Sequence, residues 1–170
     1  MKKTISCDTT HLITDRTQAD VDEVRLLVSR GPGMSPEEAA RWTRDLKGAY
    51  NASDLNRVIE AVNCIDDVFR ACGYQTGVRR QEADWADGQV PTAEQMQTYL
   101  SNVQALMDTI SGAQYSAELP RSMALLTYVG ANSIEQVLTE LSAYLTAMTA
   151  VFLRAGFPWA YAGACVYFKN

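Results

Sequence analysis

Three segments of the chain share one pattern of apolar positions. Aligned without gaps on Leu55, Met96 and Ile134, each has apolar or aromatic residues at positions 0, +3, +4, +7 and +10. This spacing places the apolar side chains on one face of an α-helix. Each segment also begins with small or polar residues, and successive copies lie 41 and 38 residues apart. The pattern predicts a threefold helical repeat, and it indicates architecture rather than chemistry.

Helix-start and helix-stop signals divide the chain into five predicted helices. Ser35 with Glu38, and Thr92 with Gln95, have the spacing of a capping box, in which two side chains bond the backbone N–H groups at a helix start. Gly73 follows the first repeat helix, where a residue with positive φ commonly ends a helix. The predicted helices cover residues 17–30, 35–47, 51–72, 92–110 and 130–154.

Three segments lie outside these helices. Residues 1–16 look extended, residues 74–90 form the least regular link, and residues 158–170 alternate large aromatic with small side chains. We expect minor extended or β pieces at the termini and in the link. The aromatic arm at 158–170 should be covered by its own chain or by a neighbouring subunit. The predicted fold is a single all-α domain over residues 1–170, in which two short N-terminal helices precede a helical bundle of three repeat-like long helices.

Composition and charge exclude several classes of protein. Apolar residues make up 47% and charged residues 21% of 170 positions, which is typical of a globular domain with a buried core. The net charge of −5 argues against a nucleic-acid partner, which would need a concentrated basic face. No apolar run follows the basic start at residues 1–3, and the most apolar window, residues 138–157, is interrupted by polar side chains. We expect synthesis in the cytoplasm, with no signal peptide, transmembrane helix or membrane insertion.

The cysteines form no recognisable metal or redox motif. Cys7, Cys64, Cys72 and Cys165 include no CxxC pair, and His11 is the one histidine. Cys64 and Cys72 lie on one predicted helix with a rise of roughly 12 Å between them, too far apart for a mutual disulfide. We interpret the cysteines as buried thiols.

No catalytic motif is present, and we predict that the protein is not an enzyme and binds no cofactor or metal. A catalytic triad would depend entirely on His11. An alternative function is that of a monomeric helical module that binds a small molecule or peptide between its helices. Trp42, Trp85 and Tyr99 would then line the pocket, although the pattern around Trp42 favours a core anchor.

The start of the first repeat helix carries a resemblance. Residues 50–58 read Tyr-Asn-Ala-Ser-Asp-Leu-Asn-Arg-Val, and residues 84–96 repeat an aromatic and acidic lead followed by Thr-Ala. This resembles the T-A-x-D-L-N-R-I-E helical motif of tail- and baseplate-associated proteins of phages and prophages of Gram-positive bacteria. The second copy departs from it at Gln97-Thr98 and the third at Glu135-Gln136. The resemblance implies a virion-associated structural or adaptor role without enzymatic activity. It implies a homo-oligomer that contacts other virion proteins and is made in the cytoplasm of the bacterial host.

Two groups of residues are candidates for interaction. Asn56 and Arg57 are the motif pair, and they either make a specific contact or close polar contacts to the adjacent link. The second group is the aromatic C-terminal arm, because aromatic residues are enriched in interface cores. Its members are Phe157, Trp159, Tyr161, Tyr167 and Phe168.

Overall fold

The computed structural model describes residues 7–42 and 46–155. Over these ranges the chain folds into five α-helices, with one short 3-10 turn between the first two. This confirms the predicted all-α class. The helices are α1 (Gln18–Arg30), α2 (Pro36–Trp42), α3 (Ala52–Ala71), α4 (Ala93–Thr109) and α5 (Tyr128–Ala155).

Helices α3, α4 and α5 pack against one another as a three-helix bundle, as predicted. The apolar face that the three repeat segments share is the face they bury. At the first aligned position Leu55 and Ile134 are buried and Met96 is partly buried. Burying one such side chain contributes about 1.5–3 kcal/mol relative to its exposure, so this face is the main source of stability. The nine side chains at +3, +4 and +7 are all buried: Val58, Ile59, Val62, Tyr99, Leu100, Val103, Val137, Leu138 and Leu141.

Both predicted capping boxes are present. The Glu38 N–H donates to Ser35 Oγ at 3.2 Å, and the Ser35 N–H donates to the Glu38 carboxylate at 2.9 Å. At the start of α4, the Gln95 N–H donates to Thr92 Oγ1 at 3.2 Å, and the Thr92 N–H donates to Gln95 Oε1 at 2.8 Å. Local side-chain chemistry therefore sets where α2 and α4 begin.

Helices α1 and α2 form an arm, residues 18–42, outside the bundle core. Leu27 is buried, but no side chain of the arm belongs to the hydrophobic core of the bundle. An ion pair between Glu23 and Arg41 joins the two helices. The expectation that Trp42 anchors the core is wrong, because its position on the arm leaves it 45% exposed.

The link between α3 and α4, residues 74–90, runs as irregular backbone. Within 7–42 and 46–155 no residue forms a β-strand, so the extended pieces expected here form no sheet. Side chains, and not a partner strand, satisfy part of the hydrogen bonding of the link backbone. Side-chain amides of Asn56 on α3 and Asn102 on α4 bond its N–H and C=O groups, which removes the need for a partner strand.

The interpretation of all four cysteines as thiols is wrong for two of them. Cys7 and Cys64 form a disulfide with their Cα atoms 5.9 Å apart, although 57 positions separate them in sequence. The N-terminal segment folds back across α3, a long-range contact that cysteine spacing does not reveal. Cys72 is buried, as expected. Cys165 lies outside the described residues.

Candidate functional site

Two arginines and two carboxylates meet inside the fold. Arg16 comes from the N-terminal segment, Asp54 and Arg57 from α3, and Glu135 from α5. Arg16 Nη2 lies 2.6 Å from Asp54 Oδ1 and 2.7 Å from Glu135 Oε1. Arg57 Nε lies 3.0 Å from Glu135 Oε2, and its Nη2 also pairs with Asp54. The formal charges of the four side chains cancel.

This cluster is buried almost completely. The Glu135 side chain is 0% exposed, that of Arg16 is 2% and that of Asp54 is 5%, while Arg57 reaches 14%. Removing a charge from water costs several kcal/mol unless a partner compensates it. Each carboxylate here contacts both arginines, so the cluster is stable only as a complete set.

Local structure positions the two carboxylates. Asp54 sits in the first turn of α3, where its Oδ2 accepts the Asn51 N–H at 2.9 Å in a capping box. Its other oxygen is thereby directed to Arg16. Glu135 lies beside the buried Ile134 on α5, and its Oε2 also accepts the Ile13 N–H at 2.6 Å. The same two carboxylates therefore fix a helix start and the N-terminal backbone.

The two carboxylates keep Arg57 ionised. Desolvation works against its positive charge, but hydrogen bonds and attraction from Glu135 and Asp54 outweigh it and raise the pKa of Arg57. Arg16 contacts an aromatic ring as well, since its guanidinium carbon lies 5.6 Å from the centroid of the Tyr50 ring. Arg16 Nε has no hydrogen-bond partner among the described residues.

Two tyrosines stand beside the cluster. The hydroxyls of Tyr50 and Tyr99 share a hydrogen bond. Burial raises the pKa of both phenols above the ordinary value, and the nearby carboxylates Glu135 and Asp54 add to the shift. Both hydroxyls therefore stay protonated at neutral pH.

The motif pair Asn56-Arg57 divides between two contacts. The Asn56 amide donates to the Trp85 carbonyl at 2.8 Å and accepts the Trp85 N–H at 2.9 Å, so it holds the link at residues 74–90. Of the two roles considered for the motif pair, Asn56 therefore has the second, a polar contact to the adjacent link. Arg57 turns instead to Glu135 in the buried cluster. Both side chains act within their own chain.

Two further asparagines make the same two-bond contact with a backbone. Asn102 on α4 accepts the Arg79 N–H at 2.8 Å and donates to the Arg79 carbonyl at 2.7 Å. Asn132 on α5 does so with Arg16, at 3.0 and 2.9 Å. An asparagine on each bundle helix therefore holds the N–H and the C=O of one residue in an irregular segment. The three asparagines are not at equivalent positions in the repeat alignment, so the repeat pattern could not reveal these contacts.

Sequence reasoning missed three of the four cluster residues, Arg16, Asp54 and Glu135, and it also missed Asn132, which holds the Arg16 backbone. One signal was present: Glu135 and Ser142 lie seven residues apart on the otherwise apolar face of α5. Both are buried, and both bond the N-terminal segment, since Ser142 Oγ donates to the Cys7 carbonyl at 3.0 Å. Buried polar residues at helical spacing indicate that a polar backbone packs there.

The residues of the alternative ligand pocket are dispersed. The space beside Tyr99, between Ile59 and Asn102, does not admit a water-sized sphere. Trp85 is partly buried against the core, and Trp42 stands on the arm. The aromatic candidates Phe157, Trp159, Tyr161, Tyr167 and Phe168 lie outside the described residues.

A groove of about 290 Å³ lies elsewhere, between the start of α1, the turn at residues 48–50 and the start of α5. Arg16, Arg25, Tyr50 and Tyr128 are among its lining residues, and no carboxylate of the described chain lines it.

Neither a metal site nor a membrane span is found in the part of the chain that the structure describes. Over these residues no three His, Cys, Asp or Glu side chains are grouped so that they could hold a metal ion. No helix there combines the length and apolar character needed to cross a bilayer. Comparison with protein-family models, curated proteins and solved structures gives no match for this chain.

Proposed function

We propose that this chain is a non-enzymatic structural or adaptor protein of a phage or prophage virion, associated with the tail or baseplate, that acts through protein–protein contacts. The observation that carries the proposal is the use of the motif residues. Asp54, Asn56 and Arg57 bond a helix start, a link and a neighbouring helix of the same chain. A motif that sets the positions of helices suits a protein whose function is its shape.

The arm supplies one candidate contact surface. Three large apolar side chains of the α1–α2 arm are exposed: Leu26 is 50%, Val28 59% and Trp42 45% exposed. Leu26 and Val28 lie two residues apart on α1 and so face nearly opposite directions, whereas tryptophan is the residue type most enriched among interface anchors, which makes Trp42 the candidate anchor. We propose that the arm contacts a second subunit or another virion protein.

The aromatic arm at residues 158–170 is the second proposed contact element. Its aromatic side chains resemble those that dominate the cores of protein interfaces. Deleting these residues should leave the helical circular dichroism signal intact, because the bundle core lies within α3, α4 and α5. The same deletion should lower the mass of the oligomer.

Light scattering on the purified full chain tests the proposal directly. We expect a defined oligomer whose mass falls after deletion of residues 158–170 or after Trp42→Ser. Val90→Ser is the matched control, because Val90 is 86% exposed on the link and outside both proposed surfaces. A full chain that stays monomeric at tens of micromolar, or an oligomer that neither change affects, overturns the proposal.

The groove favours a second candidate, a monomeric helical module for a small molecule or peptide. Its volume of about 290 Å³ suits a small ligand group, and Arg25 is the cation at its wall that lies outside the buried cluster. This candidate predicts a monomer whose melting temperature rises with added anionic compounds. The same light-scattering measurement therefore separates the two functions.

A further inference from the structure

The N-terminal segment, residues 7–17, lies across α3 and α5 as a strap. Its attachments to α5 run in reverse order along that helix: Cys7 bonds Ser142, Ile13 bonds Glu135, and Arg16 bonds Asn132. The Cys7–Cys64 disulfide joins the start of the strap to the middle of α3. The strap is therefore held by polar contacts along its length, by the packing of Leu12 against the core, and by one covalent bond at residue 7.

We propose that this disulfide is a redox-controlled lock on the strap. In a reducing environment the polar contacts and the packing of Leu12 against the core hold residues 7–17, and the strap opens from its N-terminal end. In an oxidising environment the Cys7–Cys64 bond closes that end, and opening is suppressed. The inference concerns the chain alone and does not depend on the proposed virion role.

The chemistry needs a small-molecule disulfide as oxidant, such as oxidised glutathione. One protein thiolate attacks a sulfur of the oxidant, forms a mixed disulfide and releases one reduced glutathione. The second protein thiolate then attacks the protein sulfur of that mixed disulfide and releases the other glutathione. Two protein thiols and one oxidant molecule become one protein disulfide and two reduced glutathione molecules, so atoms and electrons balance.

The geometry couples this exchange to movement of the strap. Cys7 is 7% exposed, and its carbonyl accepts a hydrogen bond from the buried Ser142 hydroxyl. An attacking thiolate must approach a disulfide sulfur directly, and since Cys7 is buried and Cys64 partly buried, the closed strap restricts that approach. Local opening of the strap should therefore accelerate reduction.

Hydrogen exchange on the oxidised and reduced full chain tests the lock. The Ile13 and Arg16 N–H groups donate to Glu135 and Asn132 in the closed strap. We expect their exchange to become at least about tenfold faster after reduction, while the core amides of α3 and α5 keep their protection. Cys64→Ser should match the reduced protein under both conditions. Equal strap protection in the two redox states overturns the inference.

Thiol labelling confirms which state is present. Under denaturing conditions the oxidised protein should take up two fewer alkylating labels without a reductant than with one, because Cys7 and Cys64 are paired. If protein exposed to oxidised glutathione takes up the same number of labels with and without a reductant, the bond does not form and the inference is overturned.

A variant pair checks that strap opening limits reduction. Ser142→Ala removes the hydrogen bond to the Cys7 carbonyl, and it should accelerate reduction by dithiothreitol about fivefold, as expected for one lost hydrogen bond. Thr146→Ala is the matched control one turn along α5, because its hydroxyl bonds only the Ser142 carbonyl of the same helix. Equal reduction rates in wild type and both variants contradict the coupling.

A monomer with a redox-dependent strap would overturn the proposed function and leave this inference intact.

Discussion

Arg16 Nη2 lies 2.7 Å from Glu135 Oε1, an ion pair that joins the N-terminal strap to α5 across 119 positions of sequence. The pair forms although both side chains are almost completely removed from water. Two further charges, Asp54 and Arg57, complete the cluster and balance it. The strap is thus a component of the bundle interior, because the carboxylates of α3 and α5 depend on the arginine that it delivers.

Replacing Arg16 should destabilise the fold strongly. Arg16→Met leaves Asp54 and Glu135 buried with Arg57 as their one remaining cation in the cluster. An uncompensated buried charge typically costs about 3–5 kcal/mol, so we expect a loss of that size in the free energy of unfolding. Urea denaturation followed by circular dichroism measures it.

The matched control is Arg80→Gln. Arg80 pairs with Asp67 at 2.8 Å, but both side chains are more than half exposed. An exposed pair contributes about 0–1 kcal/mol, so this variant should unfold close to the wild type. Similar losses in the two variants would contradict the structural importance of the buried cluster.

Removing the Asn56 amide should loosen the link at residues 74–90. Asn56→Ala eliminates both hydrogen bonds to the Trp85 backbone, and the expected cost is about 1–3 kcal/mol. The Trp85 amide should also lose protection in hydrogen exchange. Gln97→Ala is the control, because Gln97 occupies the aligned position in the second repeat and bonds only the exposed Ser101 hydroxyl. Unchanged Trp85 protection in Asn56→Ala would rule out the pinning role.

The bundle was predictable from the sequence because its determinants are local. The apolar period that aligns Leu55 with Ile134 places the buried face, and the side-chain pair at Ser35 and Glu38 marks a helix start. Both signals act over one or two helical turns, where a residue's neighbours in sequence are also its neighbours in space.

The cluster and the disulfide could not be predicted in the same way. Arg16 reaches Glu135, and Cys7 reaches Cys64, only after the strap has folded back over the bundle. No periodicity encodes that path. The buried position of Glu135 on α5 signals that a polar partner is needed, but not which of the chain's arginines supplies it.

The turn at residues 46–50 should tolerate no side chain at Gly48. A Cβ placed there would overlap the backbone carbonyl of Asp20 in the first turn of α1, and backbone cannot move as a flexible side chain can. We expect Gly48→Ala to lower the free energy of unfolding by about 1–3 kcal/mol, as overpacking generally does. Thermal unfolding monitors the change.

Gly33→Ala is the control for that substitution. An added Cβ at Gly33 meets no atom within 4 Å, and its φ is not positive. The substitution should be neutral, or stabilising by about 0.4–1 kcal/mol through a less flexible unfolded chain. Equal destabilisation by the two alanines would show that the close approach of Gly48 to α1 is unimportant.

Alkaline pH should weaken the fold through Tyr50 and Tyr99. Burial raises the pKa of both phenols above that of an unfolded tyrosine, about 10. The folded state therefore holds these protons more tightly than the unfolded state. The resulting stability is fully present below pH of about 10 and is lost as pH rises from there towards the folded-state pKa. Urea unfolding at pH 8 and at pH 11 should show the loss. Tyr50→Phe should reduce it, because phenylalanine does not ionise, whereas an identical pH dependence in this variant would assign the loss to other groups.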